Sequence, residues 1–326
     1  MKKRIIECLK ESGDYVSGQD LCERLGVSRT AVWKAVNQLR ADGYEIEAVR
    51  NRGYRLVQGN DVYNQDEIAE ELRTSWAGRN LIFFDETDST NIQLRLLAEK
   101  GAPEGTLVVA GQQNAGKGRR GRAWLGPRDS GVWMSLLLRP GFAPEHASML
   151  TLVAALAVAQ GIREQTGLDC GIKWPNDIVL GGKKVCGILT EMSTEMESIH
   201  YVIIGIGINV GIRQFPEELR DTATSLSLET GKETSRAALI GAVMRAWEGY
   251  YARFLEKCDL STLNEEYSSL LVNKDREVRV LAASGEYTGI CRGIDDGGEL
   301  LVEMADKSVR CVISGEVSVR GIYGYV

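Results

Sequence analysis

Four cations stand within six residues, at 117, 119, 120 and 122, inside the run Gln113-Asn114-Ala115-Gly116-Lys117-Gly118-Arg119-Arg120-Gly121-Arg122-Ala123-Trp124. Guanidinium groups, an ammonium and freely turning glycines are the parts needed to wrap an anion. Two nucleotide motifs nearly fit. Gly116-x-Gly118-x-x-Gly121 has dinucleotide-fingerprint spacing, but the continuation Arg122-Ala123-Trp124-Leu125-Gly126-Pro127 does not open a helix. Gly111-x-x-x-x-Gly116-Lys117 has Walker A spacing, but Gly118 stands where the hydroxyl ligand of Mg²⁺ belongs. The segment reads as a flexible basic loop around an anionic ligand; a solvated basic loop is the plainer alternative.

Other clusters accompany it. Asp88-Ser89-Thr90-Asn91 puts two hydroxyls and an amide at a helix start, where capping alone would also explain them. In Lys173-Trp174-Pro175-Asn176-Asp177 the proline keeps Trp174 out of the helical region, and Asn-Asp makes a polar turn. Lys184 follows the Gly181-Gly182 turn, and Gly187 leaves space beside the strand. Along Tyr201–Val210, Ile204, Ile206 and Ile208 face one way. Gly205, Gly207 and Asn209 face the other, a smooth strip on which a ligand or a close-packed helix would lie flat. With Trp124, Trp133 and Trp174 as aromatic walls, the set holds cations, hydroxyls and amides but no catalytic triad. Such groups suit alignment and charge neutralisation better than a protein nucleophile. Two histidines and seven scattered cysteines without a Cys-x-x-Cys argue against a Cys/His zinc site and for free thiols.

Positioning these groups requires a mixed fold. Strands are expected at Leu81–Phe84, Leu107–Ala110, Gly131–Leu138 and Tyr201–Val210, with a hairpin from Ile178–Leu180 to Val185–Thr190. Helices are expected from Asn64 to about Arg73, from Ser89 or Thr90 to Gly101, over Ala147–Gln165 and over 236–257. From Asp275 short strands with glycine turns suggest a small β-barrel.

The first 60 residues differ. They carry eleven Lys/Arg against eight Asp/Glu, a charge of +3, while the remainder carries −9. Ile5, Ile6 and Leu9 form a helical stripe; Ser17 and Ser28 cap two further helices ending at Gly26 and Gly43. Tyr44, Ile46 and Ala48 then alternate as a strand that turns at Arg50–Gly53 and returns through Tyr54 and Leu56. This is a winged helix-turn-helix pattern. No acidic residue lies between Ser28 and Ala41. Ser28, Arg29, Thr30, Lys34 and Asn37 are expected to meet DNA from the second helix of the motif, joined by Gln38 and Arg40. Arg50, Arg52 and Arg55 are expected to meet it from the wing. A small domain with a solvated basic face is the alternative. The domains are placed at 1–60, 64–272 and 273–326, with Gln58–Asn64 as linker. No apolar run approaches the ~18 residues of a membrane span, and a soluble cytoplasmic chain with no membrane partner is expected.

In that order, Asp88-Ser89-Thr90-Asn91, the 116–124 run, Lys173–Asp177, Lys184-x-x-Gly187-Ile188-Leu189 and Gly205-x-Gly207-x-Asn209 resemble the biotin–protein ligases. The N-terminal domain is similar to that of the family's bifunctional bacterial form, which also represses the biotin operon. Ser314-Gly315-Glu316-Val317-Ser318 is similar to the family's SH3-like C-terminal domain. The resemblance implies an α+β multidomain chain: winged helix-turn-helix, a mixed α/β catalytic domain of the biotin/lipoate ligase, class II synthetase-like type, then a small SH3-like β-barrel. It implies ATP with Mg²⁺ as cosubstrate, biotin as substrate, and biotinoyl-5′-AMP as intermediate and corepressor. Implied partners are the biotin carboxyl carrier protein or another acceptor domain, operator DNA, and a second copy of the chain when liganded. It further implies biotin contacts from Ser89, Thr90, Asn91, Gln113, Gly116, Lys117, Gly118, Arg119, Lys184 and Gly187. Adenylate contacts follow from Arg119, Arg122, Trp124, Asn176, Lys184 and Asn209; the catalytic groups are Lys184, Arg119 and Arg122, and Asp177 is the metal ligand. Lys117 stands where many members carry arginine, which removes a two-pronged contact. A lipoate–protein ligase is the nearest enzymatic alternative, but its Arg-Arg-x-Ser-Gly-Gly-Gly type of segment is missing. A ligand-sensing regulator without activity is the alternative of another class.

Overall fold

The computed structural model describes residues 1–57, 61–124, 126–195, 197–282, 285–313 and 318–321. Most of the Gln58–Asn64 linker start and most of the 314–318 motif therefore lie outside the described residues. The chain divides into two compact units, Met1–Glu67 and Ile68–Val326.

The first unit holds α1 (Lys2–Ser12), α2 (Gly18–Leu25), α3 (Arg29–Ala41), β1 (Ile46–Val49) and β2 (Gly53–Leu56). Ser17 accepts from the Asp20 amide at 3.0 Å and Ser28 from the Ala31 amide at 3.3 Å, so both caps form as the sequence implies. Ile5, Leu9, Leu21, Val32 and Val36 are buried together. The hairpin departs from the expected alternation: Ile46 is buried, but Ala48 and Val49 face solvent. Two strands alone have nothing to cover their outer face.

The helix α4 (Gln65–Glu71) crosses the division between the units, and Asn64 caps it through the Glu67 amide at 3.0 Å. A seven-stranded sheet follows, built from β3 (Asn80–Phe84), β4 (Thr106–Ala110), β5 (Gly131–Leu138), β6 (Gly171–Lys173), β7 (Asp177–Leu180), β8 (Lys183–Glu195) and β9 (Ser198–Asn209). Its order is β3-β4-β5-β9-β8-β7-β6. Only β3 and β4 run parallel, joined by the crossover helix α5 (Thr90–Glu99). Leu94 and Ala98 of α5 pack with Tyr201 and Ile203 of β9, so the odd-numbered face of β9 is the α5 face. α6 (Leu150–Thr166) packs with the later helix α8 (Arg236–Leu255). The stretch Pro144–Thr166 is long and apolar enough to cross a membrane, but 72% of its apolar window is buried within the fold. Each buried Leu or Val there stabilises by about 1.5–3 kcal/mol, which accounts for its apolar character as a core helix.

Two short helices, α7 (Leu226–Thr230) and α9 (Asn264–Leu270), lie on either side of α8 in sequence. The C-terminal strands β10 (Glu277–Ala282), β11 (Gly285–Ile294), β12 (Leu300–Glu303), β13 (Val309–Val312) and β14 (Ser318–Gly321) form an antiparallel sheet in the order β13-β12-β11-β10-β14. The expected barrel is thus described as an open five-stranded sheet, since no pairing of β13 with β14 occurs among the described residues.

Candidate functional site

The basic segment is a pinned turn. Gly118 N donates to Arg122 O at 2.7 Å and Trp124 N to Gly116 O at 2.9 Å, folding 116–124 back on itself. A one-turn 3₁₀ stretch, Arg119–Gly121, forms the tip, with Arg120 and Gly121 at φ 58° and 72°. The loop takes a hairpin-like form here.

Its Trp124 settles what lies on the smooth strip. Gly187 and Gly207 are register partners on β8 and β9. A Cβ at Gly207 would stand 2.6 Å from Trp124 Nε1, and one at Gly187 would stand 2.8 Å from Trp124 Cζ3. The indole rests on the two glycines, and Gly205 is covered by the Asn91 side chain. Trp124 meets Trp133 edge-on with centroids 6.4 Å apart. Trp133 itself is wholly buried, and Trp174 is buried with its Nε1 donating to Gly298 O at 3.0 Å. Neither lines the two cavities described below; of the three expected aromatic walls, Trp124 is the one found there.

At the start of α5 the hydroxyls are not caps. The Ser89 side chain makes no capping bond; Asp88 Oδ1 instead accepts from the Ser89 amide at 2.6 Å. Burial works to raise the Asp88 carboxyl, but hydrogen bonds from Gln93, Ser89 and Thr87 outweigh it and hold the group below the usual carboxylate range. Gln113 Oε1 accepts from Thr90 N at 2.8 Å and Thr90 Oγ1 at 3.1 Å, which leaves its Nε2 as the donor end. Ser89, Thr90 and Asn91 are all buried.

Lys184 begins β8. Its backbone is held on both sides: its N donates to Thr222 O at 2.8 Å and its O accepts from Thr224 N at 2.9 Å. The ammonium lies 2.5 Å from Asp177 Oδ1 and 5.1 Å from the Trp124 ring centroid. Arg119 NH1 donates to Asn176 Oδ1 at 3.0 Å, and Asn176 Nδ2 donates to Ile188 O at 3.1 Å. Burial pushes the Arg119 pKa down; the Asp177 charge opposes this, and Arg120 and Arg122 push the same way as burial.

Two cavities meet at these residues. A narrow one of about 50 Å³ is lined by Ser89, Thr90, Asn91, Gln113 and Gly205 on its far wall. A wide one of about 720 Å³ is lined by Arg122, Asn209, Phe215, Pro216 and Asp221. Gly118, Arg119, Trp124, Asn176 and Lys184 belong to both. The junction is cationic and polar, an arrangement able to offset charge on anionic groups.

The structure thus gathers most of the residues singled out from the sequence, with some corrections. Lys117 and Gly187 line the narrow cavity. Gly116 lines neither; a Cβ there would press on Trp124 O at 2.6 Å, so its glycine serves the fold of the turn. Asn91 reaches the narrow cavity, but its amide is engaged by Glu191, Leu189 and Ser135. The Asn209 amide nitrogen donates to Thr224 O at 3.0 Å. Sequence reasoning missed the wall formed by Phe215 and Pro216, since loop residues carry no periodic signal. It also missed Ser135, whose signal was a lone hydroxyl in an otherwise apolar strand.

In the helix-turn-helix unit, Thr30, Lys34 and Trp33 are exposed on α3, and Trp33 is 56% exposed, an aromatic that the charge pattern did not flag. Arg29 donates to Gln19 at 3.0 Å, Asn37 accepts from Arg40 at 3.5 Å, and Arg40 also donates to Ile46 O. Ser28 serves as the α3 cap. On the wing, Arg55 pairs with Glu47 at 2.8 Å and covers Tyr15, so it is committed within the fold. Arg52 also covers Tyr15, at 4.3 Å. Arg50 is exposed at the turn.

Comparison with known proteins accords with this arrangement. The model of the Biotin/lipoate A/B protein ligase family matches residues 83–209, that of an HTH domain matches 2–55, and that of the Biotin protein ligase C terminal domain matches 275–320. The Bifunctional ligase/repressor BirA of Bacillus subtilis is 42% identical over 320 residues, covering 97% of this chain and 98% of its own. Its namesake in Escherichia coli is 30% identical, covering 96% and 95%. The structure of the biotin protein ligase from Aquifex aeolicus in complex with biotin and ATP superposes with a TM-score of 0.66 at 34% identity, covering 74% of this chain and 99% of that one. With relatives matched end to end and all three family models in order, the chain belongs to the biotin protein ligases, in the form that carries an N-terminal helix-turn-helix repressor domain.

Proposed function

We propose that the narrow cavity takes the ring system of biotin, that the wide one takes ATP as its magnesium complex, and that the shared wall joins them. The observation that carries this reading is that Arg119, Asn176 and Lys184 line both cavities. The biotin carboxylate attacks the α-phosphorus of ATP; a C–O–P linkage forms and pyrophosphate leaves. Two anions must approach, and Arg119, Lys184 and, from the wide side, Arg122 offset their repulsion as charge develops. Ser89, Thr90 and Gln113 hold the ureido end, with Lys117 and Gly118 of the turn closing over it. Asn176 and Asn209 face the adenylate, and Trp124 covers the junction and excludes water from the reactive anhydride. Asp177, which lines the wide cavity beside Lys184, would hold the magnesium ion; one or two protein carboxylates suffice for that metal, which would neutralise phosphate charge.

A lysine amine of an acceptor domain, such as a biotin carboxyl carrier protein, then attacks the acyl carbon, an amide forms, and AMP leaves. Because the narrow cavity lies beneath Trp124, the 116–124 turn must yield to admit biotin and reorder around the adenylate. That reordering is the signal by which liganded chains pair and bind operator DNA through α3 and the wing, with the adenylate as corepressor. The test is the mass of an acceptor domain after incubation with the enzyme, MgATP and either biotin or lipoate. Addition of the biotinoyl group alone is expected; an unmodified acceptor, or lipoyl addition of equal extent, contradicts the reading. Operator binding that strengthens with biotin and ATP at fixed salt checks the regulatory part, and equal affinity with and without them contradicts it.

A further inference from the structure

The second helix of a helix-turn-helix carries its base-reading side chains in its N-terminal turns. In α3 those turns hold Arg29, Thr30, Trp33 and Lys34, while Val32, Ala35, Val36 and Leu39 take the buried side. Thr30, Trp33 and Lys34 are exposed, and Trp33 keeps 56% of its surface in water. Spacings of three and four residues set Trp33 beside Arg29, Thr30 and Asn37. Arg29 is tied to Gln19, and Asn37 accepts from Arg40. The indole takes part in no hydrogen bond or ring contact among the described residues. Packing within the unit therefore gives no reason for an aromatic ring at this position.

Charge selects what covers it. From Ser28 to Ala41 the chain carries Arg29, Lys34 and Arg40 and no acidic residue, which suits a polyanion. An indole cannot neutralise a phosphate. It has one N–H donor and is otherwise apolar. In the major groove the base edges show donors and acceptors, and the one apolar group among them is the C5-methyl of thymine, which stands beside the O4 acceptor. A donor set in an apolar ring is the complement of that pair. Cytosine lacks the methyl and turns a donor to the same place.

We propose that Trp33 is a specificity-determining residue that reads thymine in the major groove, its ring covering the C5-methyl and its Nε1 facing O4. Each operator half-site then requires an A·T pair under α3 at the position Trp33 reaches. The inference rests on the repressor reading of the first unit and adds which base that unit selects and with which side chain.

The experiment uses the full chain with biotin and MgATP at fixed salt. A duplex is first selected from random sequence by the wild-type chain. Each thymine of a half-site is then replaced singly by deoxyuracil, which removes the methyl and keeps the base pair. Binding is measured for wild type, Trp33→Ala and Trp33→Phe, beside thermal melts. For wild type, uracil at the position read by Trp33 weakens binding about 3–5-fold, the worth of one buried methyl. Trp33→Ala binds the thymine duplex about 10-fold more weakly per half-site and no longer distinguishes thymine from uracil at that position, the signature of a coupled pair. Trp33→Phe keeps the thymine–uracil difference and loses less than alanine. The melting temperature and the slope of log K against log salt stay at wild-type values, because no core contact and no phosphate contact is removed. Three results overturn the proposal: an alanine variant that binds like wild type, a wild-type chain indifferent to every thymine methyl, or a methyl effect that survives alanine and so belongs to a neighbour such as Thr30. Failure of the wild-type chain to select any duplex overturns the repressor reading instead.

Discussion

Replacing Gly207 by alanine separates stability from positioning. A Cβ there would lie 2.6 Å from Trp124 Nε1 and 2.7 Å from Cε2, about 1 Å inside the ordinary carbon contact of about 3.5–4.0 Å. The strand cannot retreat, because β9 is paired on both edges, with β5 and β8. The indole must move instead. Overpacking costs about 1–3 kcal/mol in a closed core. Trp124 is only half-buried and sits on a turn, so the low end applies, about 1 kcal/mol, or a drop in Tm of about 2–4 °C. Activity falls much further. Trp124 is bonded through its backbone to Gly116 and shares its turn with Lys117 and Arg119. A shift of about 1 Å at aligned groups costs on the order of 10²-fold in rate. Pyrophosphate release from biotin and ATP, measured beside a thermal melt, gives both quantities. Wild-type turnover in a variant of slightly lowered Tm refutes the argument that the glycine strip seats Trp124 for function.

Further outcomes follow from the same geometry. Lys184→Ala removes a cation from the junction and lowers adenylate formation, read as pyrophosphate release, by about 10²–10³-fold; pyrophosphate release at the wild-type rate takes Lys184 out of the reaction. Arg50→Ala reduces the slope of log K against log salt for operator binding by about 0.9, one phosphate contact, whereas Arg55→Ala, already paired with Glu47, leaves the slope unchanged. Asp88 is held below the usual carboxylate range; a depressed folded value means stabilisation that is present above the unfolded value of about 3.9 and lost as pH falls through the folded one. Asp88→Asn therefore flattens the acid side of a plot of Tm against pH, and an unchanged profile removes Asp88 from the acid sensitivity. Burial pushes the Cys170 thiol up to about 12 and the Cys186 thiol upward as well, so mass mapping after alkylation of the native chain at mild alkaline pH finds both unmodified.

What could be read from the sequence was local. Ser17 and Ser28 announce their helices because a cap and its amide are three residues apart, and the Gly181-Gly182 turn with φ of 54° and 79° joins its strands for the same reason. The order of the polar motifs was also enough to identify the family. The contacts that make the site were not legible, because they join distant parts of the chain. Thr90 meets Gln113 across a parallel crossover, Trp124 meets Gly207 only after seven strands have taken their order, and Asn91 finds Glu191 a hundred residues on. The basic segment reads as a loose loop because its glycines permit that; the bonds from Gly118 N to Arg122 O and from Trp124 N to Gly116 O join backbone atoms, which residue types do not announce. Trp174 shows the converse: a rare motif suggested a ligand wall, while its indole is occupied in holding Gly298.

The central claim is that a carboxylate in the narrow cavity is delivered to a phosphorus in the wide one at Arg119 and Lys184. Biotin labelled with a heavy oxygen isotope in both carboxylate positions, incubated with ATP, enzyme and an acceptor domain, tests it most directly. The account predicts AMP carrying one labelled oxygen and a biotinylated lysine amide carrying the other. Unlabelled AMP, or label found in pyrophosphate, would contradict it.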